Sequence, residues 1–155
     1  MVGFNEPEEL INTFVDGWNE KDAEKLASIF VPNAEFVNVT GLWWHNKERI
    51  YKAHEYGLRV IFKDAPLQVL YLKQRQLSRD VVMIHTKMRL ENQTPIMGSK
   101  QTSARTNILL FICKKYNKGW LCEAVQNTEL ISGKETFVID KDGKRSAVNY
   151  GQYGK

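Results

Sequence analysis

Apolar residues recur at two spacings along this chain, and the change between them falls near residue 66. Leu10, Ile11, Phe14, Val15 and Trp18 follow a period near 3.6, so the first segment reads as an amphipathic helix with Glu9, Asp16 and Glu20 outward. Asn5, Pro7 and Glu8 supply the residue types that satisfy or omit free amides at a helix start. A second short helix opens at Asp22 and carries Leu26, Ile29 and Phe30 inward until Pro32 restricts Val31 and ends it. Ala34 to Val39 alternates, with Phe36 and Asn38 on one side and Glu35, Val37 and Val39 on the other, which is strand behaviour. Gly41 turns the chain, and Asn46 caps a third helix running to about Phe62, with Ile50, His54, Leu58 and Ile61 on one face.

After Asp64-Ala-Pro66 the period drops to 2. Leu67 to Leu77, Val81 to Leu90, Ser103 to Lys115 and Gly119 to Gln126 read as four long strands. Their connections are Ser78-Arg79-Asp80, the loop from Asn92 to Lys100, and Tyr116-Asn117-Lys118, and connections this short imply an antiparallel meander. Helices first and long strands afterwards predict an α+β domain, a strongly curved antiparallel sheet closed by three N-terminal helices, over residues 1–132. Residues 133–155 form a C-terminal extension, in which Val138 to Gly143 is a candidate hairpin and Ser146 to Lys155 a loose tail or a packing arm.

Composition narrows the function classes. A chain of 155 residues, 43% hydrophobic and 26% charged, has the make-up of a single globular core. The net charge of +4 is spread along the chain with no basic cluster, which argues against nucleic acid, and no apolar run is long enough for a membrane span. Cys113 and Cys122 lack Cys-x-x-Cys spacing and read as small buried hydrophobes. The first residues lack a signal-peptide profile, so a cytoplasmic location is expected. His45, His54 and His85 show no metal-ligand spacing, and there is no Gly-rich phosphate loop, dinucleotide fingerprint or Gly-x-Ser-x-Gly; no metal and no cofactor are expected.

The informative residues are polar ones on apolar elements, because burying them unpartnered costs about 1 to 3 kcal/mol each. Alternation groups His85 with Val81, Met83, Lys87 and Arg89, against Val82, Ile84, Met88 and Leu90; it groups Ser103, Arg105 and Asn107 with Leu109, Phe111 and Cys113. Alternation alone does not say which set is concave. With His85, Arg105 and Asn38 facing the helices and His54 opposite, the chain would have a polar cluster walled by Trp18, Trp43 and Trp44, the layout of a small-molecule cavity. The adjacent tryptophans cannot both point inward from one strand, so one is pocket wall and the other core or interface. Arg105 would orient a carbonyl or carboxylate, and His54 and His85 would move a proton near neutral pH; these three are the catalytic candidates. The plainer alternatives are a backbone-bonded His54, a solvent-exposed His85, and an Arg105 paired with Glu123.

The motifs Trp18-Asn19 with Asp22, Gly41-Leu-Trp-Trp44, Ala53-His54, Asp80 to His85, Arg105-Thr106, and Gly119-Trp120 running to Asn127-Thr128 span residues 8 to 130. In this order they resemble the SgcJ/EcaC group of SnoaL-like proteins, within the superfamily named for nuclear transport factor two. The resemblance implies a cone-shaped bent sheet, a cavity between helices and sheet, and a homodimer packed through the sheets. It adds Asn127 to the substrate-binding candidates Asn38, Trp18, Trp43 and Trp44. Relatives of this architecture include isomerases, cyclases, dehydratases and association domains, so the expectation is a small apolar carbonyl-type ligand with possible turnover, or a non-catalytic module. The chain departs from the group's pattern at Gln126, where a histidine commonly precedes Asn-Thr, and at Asn46-Lys47 in place of Gly-Arg.

Overall fold

Helix α1 (Pro7–Asn19) buries Leu10, Ile11, Phe14 and Trp18, the stripe its sequence places on one face. The structure is a computed structural model that describes residues 2–91, 103–149 and 151. The start of α1 differs in detail from expectation. Its cap position is Glu6, with no side-chain cap, and Asn5 instead donates its backbone N–H to Glu9 Oε2 at 3.0 Å. Helix α2 (Ala23–Ala27) opens at Asp22, whose carboxylate accepts from Lys25 N at 2.9 Å. It is shorter than its apolar pattern suggests. Phe30 and Val31 belong to strand β1 (Phe30–Val37), because Phe30 pairs with Cys122 across the sheet. Pro32 is absorbed where the β1–β6 register shifts between Phe30 and Glu35, a place where a strand tolerates a missing N–H.

Strand β2 (Trp43–Trp44) pairs antiparallel with β1 around a turn at Gly41, whose φ of +92° is the conformation glycine tolerates. Helix α3 (Lys47–Tyr56) starts at Asn46, whose Oδ1 accepts from Arg49 N at 2.8 Å. The chain then widens into a π-helical turn at Gly57–Ile61, so the α-helix stops short of Phe62. Strands β3 (Leu67–Ser78), β4 (Val81–Leu90), β5 (Arg105–Tyr116) and β6 (Gly119–Glu129) form the expected antiparallel meander. The loop expected from Asn92 to Lys100 lies outside the described residues.

The sheet order is β2-β1-β6-β5-β4-β3. One pair corrects the antiparallel expectation: β1 runs parallel to β6, so the curved sheet is mixed. The chain reaches that parallel position because α3 and the meander intervene between β1 and β6, a separation that a parallel crossover requires. Strands β7 (Thr136–Ile139) and β8 (Arg145–Val148) form a hairpin as a separate two-stranded sheet, wider than the Val138 to Gly143 expected, and Ser146 to Val148 belong to β8 and not to a loose tail because they pair with β7; residues 150 and 152–155 lie outside the described residues.

The inner face of the sheet carries Val82, Ile84, Thr86, Met88 and Leu90 of β4 and Asn107, Leu109, Phe111 and Cys113 of β5, all buried against the helices. Cys113 and Cys122 are buried and unlinked. The end of α1 is locked to the start of β3: Trp18 Nε1 donates to Ala65 O at 2.8 Å, and the Asn19 side chain exchanges two hydrogen bonds with Leu67, at 2.9 and 2.8 Å. Gly17 lets α2 approach α1, since a Cβ there would stand 2.6 Å from Leu26 N and 2.8 Å from Leu26 Cα. Gly17→Ala, normally favourable in a helix, is therefore expected to lower the unfolding free energy by about 1 to 3 kcal/mol in urea titration.

Candidate functional site

A cavity of about 180 Å³ lies between α1, α3 and the π-helical turn on one side and the inner face of β1, β4, β5 and β6 on the other. Its apolar walls include Phe14 and Trp18 from α1, Phe36 from β1, Trp44 from β2, Phe62, and Met88 and Leu90 from β4. Five polar side chains reach it: Asn38, His54, Arg105, Asn107 and Asn127. Strand alternation delivers the last three. Arg105 and Asn107 are two apart on β5, and Asn127 stands directly across from Leu109 on β6, on the same inward face.

His54 is buried, at 8% exposure. Its Nδ1 lies 2.8 Å from the Ile50 carbonyl, which can only accept, so Nδ1 carries the proton and Nε2 is a bare lone pair. Four aromatic rings surround the imidazole in edge-to-face contact: Phe14, Trp18, Phe36 and Trp44, with centroids 5.9, 6.3, 5.2 and 5.7 Å away. Burial among them lowers its pKa to about 4, outweighing the bond to Ile50, which acts in the opposite direction. The expected titration near neutrality therefore does not describe His54, which is a neutral and weakly basic imidazole there.

Arg105 is half-buried, with its guanidinium 6.0 Å from the Phe62 ring centre. Its Nε is buried and has no hydrogen-bond partner among the described residues. The alternative partner Glu123 instead accepts from the Tyr116 hydroxyl, which raises the tyrosine pKa to about 12. Asn107 donates from Nδ2 to Asn127 Oδ1 at 2.7 Å, and its own Oδ1 is buried and unpaired. Asn107 was not among the candidates, although it shares Arg105's parity on a strand otherwise apolar inward; that shared parity was the available signal.

Two candidates lie elsewhere. His85 is exposed, across from Lys73 and Leu110 on the outer face of the sheet, because β4 turns its more apolar set inward. Trp43 is 57% exposed and donates from Nε1 to Glu35 Oε2 at 2.8 Å, the same oxygen that lies 2.9 Å from His45 Nδ1. Its neighbour Trp44 is the one that faces the cavity. Gln126 is exposed and pairs with Leu110 in register, so the substitution there leaves the cavity wall unchanged. Among the described residues, no three His, Cys, Asp or Glu side chains converge as a metal site, and no helix is long and apolar enough to cross a membrane.

No protein-family model and no curated protein matches this sequence. Solved structures do match. An uncharacterized protein with a cystatin-like fold from Caulobacter vibrioides superimposes with a TM-score of 0.75 at 22% identity, over 81% of this chain and 87% of that one. A hexachlorocyclohexane dehydrochlorinase, LinA type 2, gives 0.68 at 12% identity, over 91% and 85%. A Xanthomonas campestris protein bearing the name of the calcium/calmodulin-dependent protein kinase II association domain gives 0.66 at 14% identity, over 85% and 96%. The chain thus has a cystatin-like fold. The likeness is one of fold and stops short of the SgcJ/EcaC group.

The buried imidazole makes a pH prediction. The unfolded chain binds the His54 proton near pH 6.5 and the folded chain only near 4, so this contribution is complete above 6.5 and is lost as pH falls toward 4. Between pH 7 and pH 4 the loss is about 2 to 3 kcal/mol. Urea titrations at the two pH values should show a drop smaller by that amount in His54→Gln; equal drops in both proteins would contradict a neutral buried imidazole.

Proposed function

We propose that this chain binds a small apolar carbonyl-type molecule in the cavity between its helices and sheet. The observation that carries the reading is the pair of buried, unpaired polar atoms, Arg105 Nε and Asn107 Oδ1, in an otherwise aromatic and aliphatic enclosure. A folded chain rarely leaves such atoms without partners, and a ligand oxygen or hydroxyl would supply them. Trp18, Trp44 and Phe62 give the ligand apolar walls, while Asn38 and Asn127 add polar contacts at its edges.

Catalysis is the finer form of this reading. His54 Nε2 would accept a proton from a bound molecule, in the manner of an isomerase, cyclase or dehydratase acting without metal or nucleotide cofactor. The dehydrochlorinase neighbour supports an enzyme on this fold, and the low basicity of His54 restricts it to acidic C–H positions. The cavity contains no carboxylate among the described residues, which favours binding over turnover.

A second reading, association of two copies, has its own support. The outer face of β4 and β5 presents Met83, Ile108, Leu110 and Ile112, all half-buried, as an apolar ridge beside exposed His85 and half-buried Lys87. The association-domain neighbour is consistent with such use of the fold. We read this ridge as the homodimer surface, with the cavity on the opposite side of the sheet free for a ligand.

Two measurements test these readings. In a thermal-shift screen of apolar carbonyl compounds of one to four rings, charged and neutral, at least one should stabilise the protein by roughly 2.7 kcal/mol at about 100 times its Kd. Ala53→Phe, which fills the cavity from α3, should abolish that shift; a screen in which nothing moves the wild-type Tm leaves only the association module. Sedimentation should give a dimer that Leu110→Lys converts to a folded monomer, and a wild-type monomer at micromolar concentration would remove the dimer.

A further inference from the structure

Arg105 is the only side chain with a formal charge around the cavity among the described residues. It forms no ion pair with any described carboxylate; the ion pairs elsewhere take Glu20, Glu35, Glu48, Glu55 and Glu91. Glu123 is engaged by Tyr116, and Glu129, which faces Asn107 in register, is exposed and makes no ion pair with Arg105. The sequence from 92 to 102 contains neither Asp nor Glu. Among the described residues the enclosure therefore holds one positive charge with no counter-charge, while the other polar groups, three asparagines and a neutral imidazole, cannot supply one.

Charge in an apolar wall is costly unless paired. A planar guanidinium answers a carboxylate with two parallel, charge-assisted hydrogen bonds, whereas a ketone oxygen offers one neutral acceptor. Size adds a second limit. An apolar cavity of about 150 Å³ takes one benzene ring. The space here, about 180 Å³, matches one ring with a small substituent and is too small for a four-ring skeleton.

We infer that the ligand is a single-ring monocarboxylate, aromatic or alicyclic, whose ring packs against the wall formed by Trp18, Trp44 and Phe62 and whose carboxylate bonds Arg105. The inference rests on the ligand-binding reading of the same cavity and narrows it to one charge and one size.

Calorimetric titration at fixed ionic strength with benzoate, acetophenone, 2-naphthoate and acetate separates the claims. Benzoate and acetophenone share a ring and a carbonyl and differ in charge. Benzoate is expected to bind about tenfold or more tighter than acetophenone and than acetate, and 2-naphthoate about tenfold weaker than benzoate. In Arg105→Gln the benzoate advantage over acetophenone should fall to about twofold or less. If that variant does not fold, the wild-type comparison decides alone. Acetophenone binding as tightly as benzoate, or a benzoate advantage that survives in folded Arg105→Gln, overturns the carboxylate and leaves the carbonyl-ligand reading standing. Naphthoate binding as tightly as benzoate overturns the single ring. Absence of binding by all four, together with a silent thermal-shift screen, removes both readings.

Discussion

The hydrogen bond from His54 Nδ1–H to the Ile50 carbonyl sits at the meeting point of α1, α3, β1 and β2, and most of the architecture bears on it. It fixes the imidazole as one neutral tautomer, which lets Phe14, Trp18, Phe36 and Trp44 close around the ring without leaving a buried charge. A protonated ring in that position would have to be desolvated with no carboxylate nearby, so the packing of the helices and the protonation of one residue are the same constraint. The same imidazole and rings line the cavity, together with Arg105 and Asn107 of β5.

That arrangement divides the cavity into two regions of different chemistry. Around His54 the walls are aromatic and the polar valence is a weakly basic lone pair. Near Arg105 and Asn107 the strand presents a fixed cation and an amide, each with an unsatisfied atom. A molecule with an apolar body and a polar head complements both regions at once. The outer face of the same strands has a different character, since β4 and β5 alternate between cavity residues and the half-buried ridge of Met83, Ile108, Leu110 and Ile112. A one-residue slip in register would exchange the two faces and destroy both surfaces together.

Much of the fold was legible locally. The helical stripe of α1, the Asp22 and Asn46 caps and the four-strand meander all follow from short-range patterns, and all are present. Parity and helical spacing grouped Asn38, His54 and Arg105 as candidates for one cavity, on the condition that their strand faces were the concave ones, and all three line the same cavity. His85 was assigned to the wrong face for a physical reason: alternation gives two sets of residues without saying which is concave. Its companions Lys87 and Arg89 already marked its set as the more polar one. Asn107 carried the right parity but was hidden among apolar neighbours.

The sequence by itself determined the order of elements, their amphipathic faces and the residue types available for a site, because these depend on contacts a few residues apart. Only the tertiary structure decided that β1 pairs parallel with β6, that Trp44 and not Trp43 enters the cavity, and that His54 is held neutral. Each of these depends on groups distant in the chain: Cys122 and Val125 beside β1, Glu35 accepting from Trp43, and rings from three elements enclosing one imidazole. Desolvation and counter-charge are properties of the assembled enclosure, so Arg105 has no ion-pair partner among the described residues only once the fold has put Glu123 beside Tyr116 and brought no described carboxylate to the cavity.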